Sequence, residues 1–199
     1  ERAAGQLRAQ GLVAHGLAAD VGERSDVYPL VGAAAALVGP IDILIHNASS
    51  LGPTPLPLLL DSTCEDFSRV LEVNLLGPFR LSKAVLGNML LRGSGLIVHV
   101  SSDAATSAYP GWGAYGVSKA ALDHLGRIWA AELEGSGVSF VSIDPGEMDT
   151  EMHRAALPDA DPTTLARPAD VAARIVSFLE RSASLRSGQR FEASRLEAP

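Results

Sequence analysis

The amino-acid sequence predicts an α/β domain in which a parallel β-sheet carries helices on both faces. Three observations support this. Short apolar runs alternate with longer helix-patterned segments along the chain. The apolar runs are compact and rich in Val, Ile and Leu, as strands buried on both faces are. Polar clusters follow four of these runs, at Asp20, Asn47, Ser102 and Pro145-Gly146. In an open α/β sheet, ligands bind at that edge.

The elements follow in order. Residues 1–10 are helix-like and stop at Gly11, a suitable helix C-cap. Leu12–Ala18 reads as a short buried strand ending at Asp20. Ser25 or Asp26 can cap a helix running to about Val38, which Gly39-Pro40 terminates. Ile41–Ile45 is the next strand, followed by His46-Asn47-Ala48-Ser49. The Pro-rich stretch 52–57 is a loop. Asp61 to Thr63 offers caps for a long helix over roughly 64–91, bent at Gly77-Pro78. Leu96–Val100 is a strand running into Ser101-Ser102, and a helix lies within Gly111–Glu134. Val138–Ile143 is a strand ending at Asp144-Pro145-Gly146. A helix covers Pro168–Arg181, and Gln189–Ala193 is a last strand. Without repeats or a low-complexity linker, residues 1–199 read as a single domain.

Composition narrows the function classes. The chain is 47% apolar and 20% charged, a globular balance. A net charge of −7 argues against a nucleic-acid surface, which needs a basic face. No apolar run reaches the roughly 18 residues a membrane helix needs. The single Cys64 cannot form an internal disulfide. A cytoplasmic location is the resulting expectation.

The chemistry concentrates in Tyr115-Gly116-Val117-Ser118-Lys119. Positions i and i+4 share a helix face. An ammonium beside a phenol favours phenolate and lowers the tyrosine pKa from about 10. With 3 Tyr and 2 Lys in 199 residues, such a pair is rare by chance. Ser102, at a strand end, could hydrogen-bond a reacting oxygen, or could simply satisfy local backbone groups.

Taken together these residues resemble the classical short-chain dehydrogenase/reductase family over nearly the whole chain. Asp20-Val21 matches the family's adenine-contacting Asp after its third strand. His46-Asn47-Ala48-Ser49 matches, imperfectly, its Asn-Asn-Ala-Gly motif. Asn74, Ser102, Tyr115 and Lys119 match its catalytic tetrad in order and spacing. Pro145-Gly146 through Thr150 matches the segment that closes over the nicotinamide.

The resemblance implies a Rossmann-type, three-layer, doubly wound sheet, and NAD or NADP as hydride carrier. It implies a small carbonyl or secondary alcohol as substrate. Tyr115 would exchange the proton with the substrate oxygen. Lys119 would tune Tyr115 and hold the nicotinamide ribose. Ser102 would position the substrate oxygen, and Asn74 would support a water linking Lys119 to solvent. Asp20 and Val21 would flank the adenine, Asn47, Ala48 and Ser49 would line the cofactor cleft, and Met148 and Thr150 would lie against the cofactor. Asp103, Tyr109 and Trp112 are candidates for the substrate wall, with a turn role or ordinary packing as the alternative. Asp149–His153 resembles the corresponding segment of sepiapterin-reductase-like members. Family members pair two helices across a two-fold axis, which implies a homodimer or homotetramer. Here those helices carry Leu76, Phe79, Leu125 and Trp129, which could instead be buried against the chain's own sheet.

Two departures stand out. His46 and Ser49 replace Asn and Gly in the four-residue motif. The Gly-rich turn that binds pyrophosphate at a helix N-terminus has no match. The first βαβ unit, on the order of 40 residues, is therefore expected to be missing. In that case the intact polypeptide exceeds 20.7 kDa. A catalytically silent nucleotide-binding or regulatory protein, or an inactive fragment, is the alternative reading. The five His residues show no metal-ligand spacing, so no metal is expected, and His99 is expected to be packed.

Overall fold

Gly95–Val100 forms a strand (β2) whose alternate side chains enter two separate cores. Leu96 and Val98 face one core with Val141, Ile143, Val171 and Leu179. Ile97 faces the other with Val85, Leu86, Met89 and Phe140. A strand apolar on both sides needs a layer on each, and this structure supplies both. It is a computed structural model that describes residues 1–181 and 185–197.

Among the described residues the sheet has four parallel strands in the order β1 (Ile43–His46), β2, β3 (Val138–Asp144) and β4 (Arg190–Glu192). Helices α1 (Arg2–Ala9), α2 (Arg24–Val38), α3 (Cys64–Leu71), α4 (Gly77–Arg92), α5 (Gly113–Glu132), α6 (Glu151–Ala156) and α7 (Pro168–Glu180) accompany it. Side chains of α2, α4 and α5 pack on one face, and α7 packs on the other. This is the three-layer α/β arrangement that the patterning predicts. No helix among the described residues is long and apolar enough to cross a membrane.

Several local expectations need correction. Leu12–Ala18 is irregular rather than a strand, and Val13 is 87% exposed. A strand exists only where a neighbour accepts its ladder, and β1 pairs with β2 alone among the described strands. Consistent with that, Ile43 and Ile45 of β1 remain 45% and 48% exposed. Helix α2 starts after Glu23, without a side-chain cap. Asp26 instead accepts the Asp20 amide at 2.9 Å.

The long helix over 64–91 is interrupted by a π turn at Glu72–Leu76. Pro78 has no N–H to offer the Asn74 carbonyl, so the α-turn there cannot close. The break therefore falls one turn before the Gly-Pro pair itself. Gly77 is needed at that point, because a Cβ there would stand 2.5 Å from the Val21 carbonyl oxygen.

His46 and His99 are register partners on β1 and β2, with ring centroids 5.3 Å apart. The His46 ring is hydrogen-bonded to the Ser82 hydroxyl at 2.9 Å. His99 is fully buried, beside the Leu122 backbone. Burial pushes His46 down to about 3, with the His99 and Lys119 charges adding to it. Burial likewise pushes His99 down to about 4. Both folded values lie below the unfolded 6.5. Folding therefore favours the neutral rings, and that stability is lost as pH falls from about 6.5 toward the folded values. Each histidine contributes a slope of up to about 1.4 kcal/mol per pH unit in that window. Thermal denaturation between neutral pH and the folded values should show the fall, and His99→Leu should flatten it. An equally steep fall in His99→Leu would assign the acid sensitivity elsewhere.

Candidate active site

The carboxyl ends of β1, β2 and β3 open into one cavity of about 520 Å³. Ser101 and Ser102 follow β2, and Asp144, Pro145 and Gly146 close β3. Helix α5 starts beside this edge and presents Tyr115, Lys119 and Asp123 one turn apart on its buried face. Gly116 lets α5 approach closely, since a Cβ there would lie 3.0 Å from the Ala104 carbonyl oxygen.

Lys119 is 3% exposed, and its ammonium donates to the Val100 carbonyl at 2.7 Å, at the end of β2. Burial lowers its pKa to about 8, against the opposing charge of Asp123. Its Nζ lies 5.5 Å from the centre of the Tyr115 ring. Tyr115 itself is raised, not lowered as the Tyr–Lys spacing alone suggests. Burial is the main cause, and the charges of Asp103 and Asp144 add to it. The hydroxyls of Ser102 and Ser49 act in the opposite direction. Trp112 meets the Tyr115 ring edge-on at 5.6 Å.

Asn74, at 1% exposure, is bonded on both sides of its amide. Its oxygen accepts from the Ser50 amide at 2.7 Å and the Ser49 hydroxyl at 3.2 Å. Its nitrogen donates to the Ser50 carbonyl at 2.8 Å and to the Ser118 hydroxyl at 2.9 Å. Ser118 in turn donates to the Tyr115 carbonyl at 2.6 Å. Asn74 thus ties the loop after β1 to the turn of α5 that carries Tyr115. It does so from behind the cavity, whose wall it does not join. The π turn places it there.

Ser102 caps the turn at Asp103–Ala105 and donates its hydroxyl to Asp103 Oδ1 at 2.9 Å. The other Asp103 oxygen accepts from the Tyr109 hydroxyl at 2.9 Å. Thr150 caps α6 by accepting the His153 amide at 3.1 Å.

The structure brings most of the sequence candidates together. Asn47, Ser49, Ser102, Asp103, Tyr109, Trp112, Tyr115, Lys119, Pro145, Gly146, Met148 and Thr150 all line the cavity. Asp20, Val21 and Ala48 do not. The Asp20 carboxylate is held by Arg69 at 2.5 Å and by the Gly22 amide at 2.8 Å. The sequence reading missed Leu51, Met152, Ala156 and Leu157, apolar residues that complete the wall. It also missed Ser118, Asp123 and Asp144. Of these, Asp123 was within reach, because it repeats the spacing of four from Lys119.

Fold and cavity together define a Rossmann-like α/β protein with its cleft at the strand carboxyl ends. The model of the short chain dehydrogenase family matches residues 1–161. The 2-(R)-hydroxypropyl-CoM dehydrogenase of Xanthobacter autotrophicus is 37% identical over 134 residues, covering 67% of this chain and 54% of that protein. A short chain dehydrogenase from Pseudomonas syringae superposes with a TM-score of 0.88 at 30% identity, over 96% of this chain and 78% of the other. A gluconate 5-dehydrogenase from Burkholderia cenocepacia, solved with NADP and tartrate, gives a TM-score of 0.85 at 27% identity, over 96% and 78%. The chain belongs to the short chain dehydrogenase family. It spans 54%, 50% and 47% of the lengths of three curated relatives, about half of each.

Asn74→Ala removes the partner of two hydroxyls, Ser49 and Ser118, and of the Ser50 amide and carbonyl at once. It should destabilise the fold by about 1–3 kcal/mol in urea denaturation. An unchanged midpoint would show that these four bonds do not hold the loop.

Proposed function

We propose that this protein is an NAD(P)-dependent oxidoreductase that interconverts a small carbonyl compound and its secondary alcohol, with Tyr115 as the proton-exchanging group. The observation that carries this reading is the meeting of Ser102, Tyr115 and Lys119 in one cavity with Pro145 and Gly146. Relatives named as dehydrogenases, and a neighbour solved with NADP, support it.

The residues present fit the nicotinamide end of such a cofactor. Lys119 spends one N–H on Val100, which leaves two donors for ribose hydroxyls at the cavity floor. Asn47, Pro145, Gly146, Met148 and Thr150 form the wall that would face the ring. When bound, the nicotinamide supplies or accepts the hydride at the carbonyl carbon.

The chain's own groups handle the oxygen. A raised Tyr115 stays a neutral phenol, the form that gives a proton to a carbonyl oxygen during reduction. In the reverse direction the phenolate takes the alcohol proton. Ser102 can turn its hydroxyl from Asp103 to that oxygen and fix its position. Asn74 keeps Tyr115 in place through Ser118. Leu51, Trp112, Met152 and Leu157 present an apolar surface to the substrate body.

The reading also includes a cytoplasmic homodimer or homotetramer. Trp129 and Phe79 are used within the chain, with Trp129 stacked on Phe79 at 6.2 Å and on Phe140 at 5.9 Å. Val117 and Ile128 of α5 remain exposed for a second copy.

The test uses the intact protein. Saturable quenching of tryptophan fluorescence by NADPH or NADH is expected, with carbonyl-dependent oxidation of the bound cofactor. Tyr115→Phe should lower turnover by roughly 10²–10⁴-fold while leaving cofactor binding in place. The absence of turnover across a broad carbonyl panel would sink the proposal, as would full activity in Tyr115→Phe.

A further inference from the structure

Arg190 lies on β4, outside every motif that points to the site, yet its guanidinium reaches three elements at once. Its Nε donates to Asp123 Oδ2 at 3.2 Å. Its Nη2 donates to Asp144 Oδ2 at 2.8 Å and to the Ser102 carbonyl at 2.9 Å. Asp123 Oδ2 also accepts from the Ser101 hydroxyl at 2.8 Å. The two carboxylate side chains are 8% and 9% exposed. Buried carboxylates need a partner, and a planar fork of N–H donors can serve two of them and a carbonyl together.

Each of these partners adjoins a group of the site. Asp123 is one helical turn beyond Lys119 on α5. Asp144 immediately precedes Pro145-Gly146 and lines the cavity. Ser102 lines the cavity, and its hydroxyl adjoins the Tyr115 phenol.

We propose that Arg190 is a positioning residue for Tyr115: it holds Ser102, α5 and the Asp144-Pro145 corner in one arrangement and neutralises the paired carboxylates of Asp123 and Asp144 behind them. This rests on the reading of Tyr115 as the proton-exchanging group.

The charged surroundings make the consequence specific. Tyr115 shares the cavity with Lys119 from α5 and with Asp103 and Tyr109 from the turn after β2. Asp144 and Glu147 line it from the end of β3 and His153 from α6, while Asp123 of α5 and Arg190 of β4 stand outside that lining, paired with one another. His46 and His99 lie toward Lys119 and stay neutral. Asp103 and Asp144 already oppose phenolate formation. Without Arg190, the charge of Asp144 acts on the phenol without its counter-ion.

The experiment follows ionisation of Tyr115 by tyrosinate absorbance against pH in the intact protein. The trace of the matching Tyr115→Phe background is subtracted, and near-ultraviolet circular dichroism monitors folding throughout. Arg190→Met should move the Tyr115 midpoint upward by roughly one pH unit, about ten-fold less phenolate at a given pH. Adding Asp144→Asn to Arg190→Met should return the midpoint toward that of the parent, a rescue that loss of packing would not produce. Where Arg190→Met does not stay folded, Asp144→Asn alone is the test, because the surplus guanidinium charge should lower the midpoint. An unmoved midpoint in the folded variant overturns the proposal. Failure of the underlying reading looks different: turnover then survives Tyr115→Phe, while the titration still reports whether Arg190 sets the charge at that phenol.

Discussion

The bond from the Lys119 ammonium to the Val100 carbonyl fixes how α5 meets the sheet. A strand end leaves carbonyls without ladder partners, and a buried ammonium needs acceptors. Each satisfies the other at the edge where β2 stops. With Lys119 seated there, the spacing of four places Tyr115 at the cavity and Asp123 deeper, beside β4. Ser101 and Ser102, which follow Val100, are then carried to the same helix face.

Burial gives this arrangement its electrostatic character. Lys119 falls and Tyr115 rises for the same reason, the loss of water around the charged form. Nearby charges then adjust that result. Asp103, Asp123 and Asp144 surround the pair, and Arg190 bridges the latter two. A helical Tyr–Lys spacing seen in isolation suggests mutual charge stabilisation. In the folded chain, desolvation and carboxylates outweigh it. The acid–base character of such a pair is therefore a property of its surroundings more than of its spacing.

The strands β2 and β3 were legible because each is an unbroken apolar run that both faces can use. Much of the cavity was legible because its residues follow strand ends or recur at helical spacing. Leu12–Ala18 shows where this fails. Its composition suits a strand, but strand formation requires a neighbour's hydrogen bonds, which lie outside the segment. The π turn at 72–76 was half legible. Pro78 announced a disruption, yet its position depends on which carbonyl loses its donor.

By itself the sequence determined the α/β layering, the carboxyl-edge location of the polar clusters, and the ordered series Asn74, Ser102, Tyr115 and Lys119. These depend on local periodicity and on spacing along one chain. Tertiary structure alone decided that Asn74 bonds Ser118 and the 49–50 loop, and that Leu51, Met152 and Leu157 complete the wall. It also decided that Arg190 reaches Ser102, Asp123 and Asp144. Arg190 is 88, 67 and 46 residues away from them along the chain. Contacts at that separation are created when strands take their order in the sheet, and no local pattern encodes which side chains that order brings together.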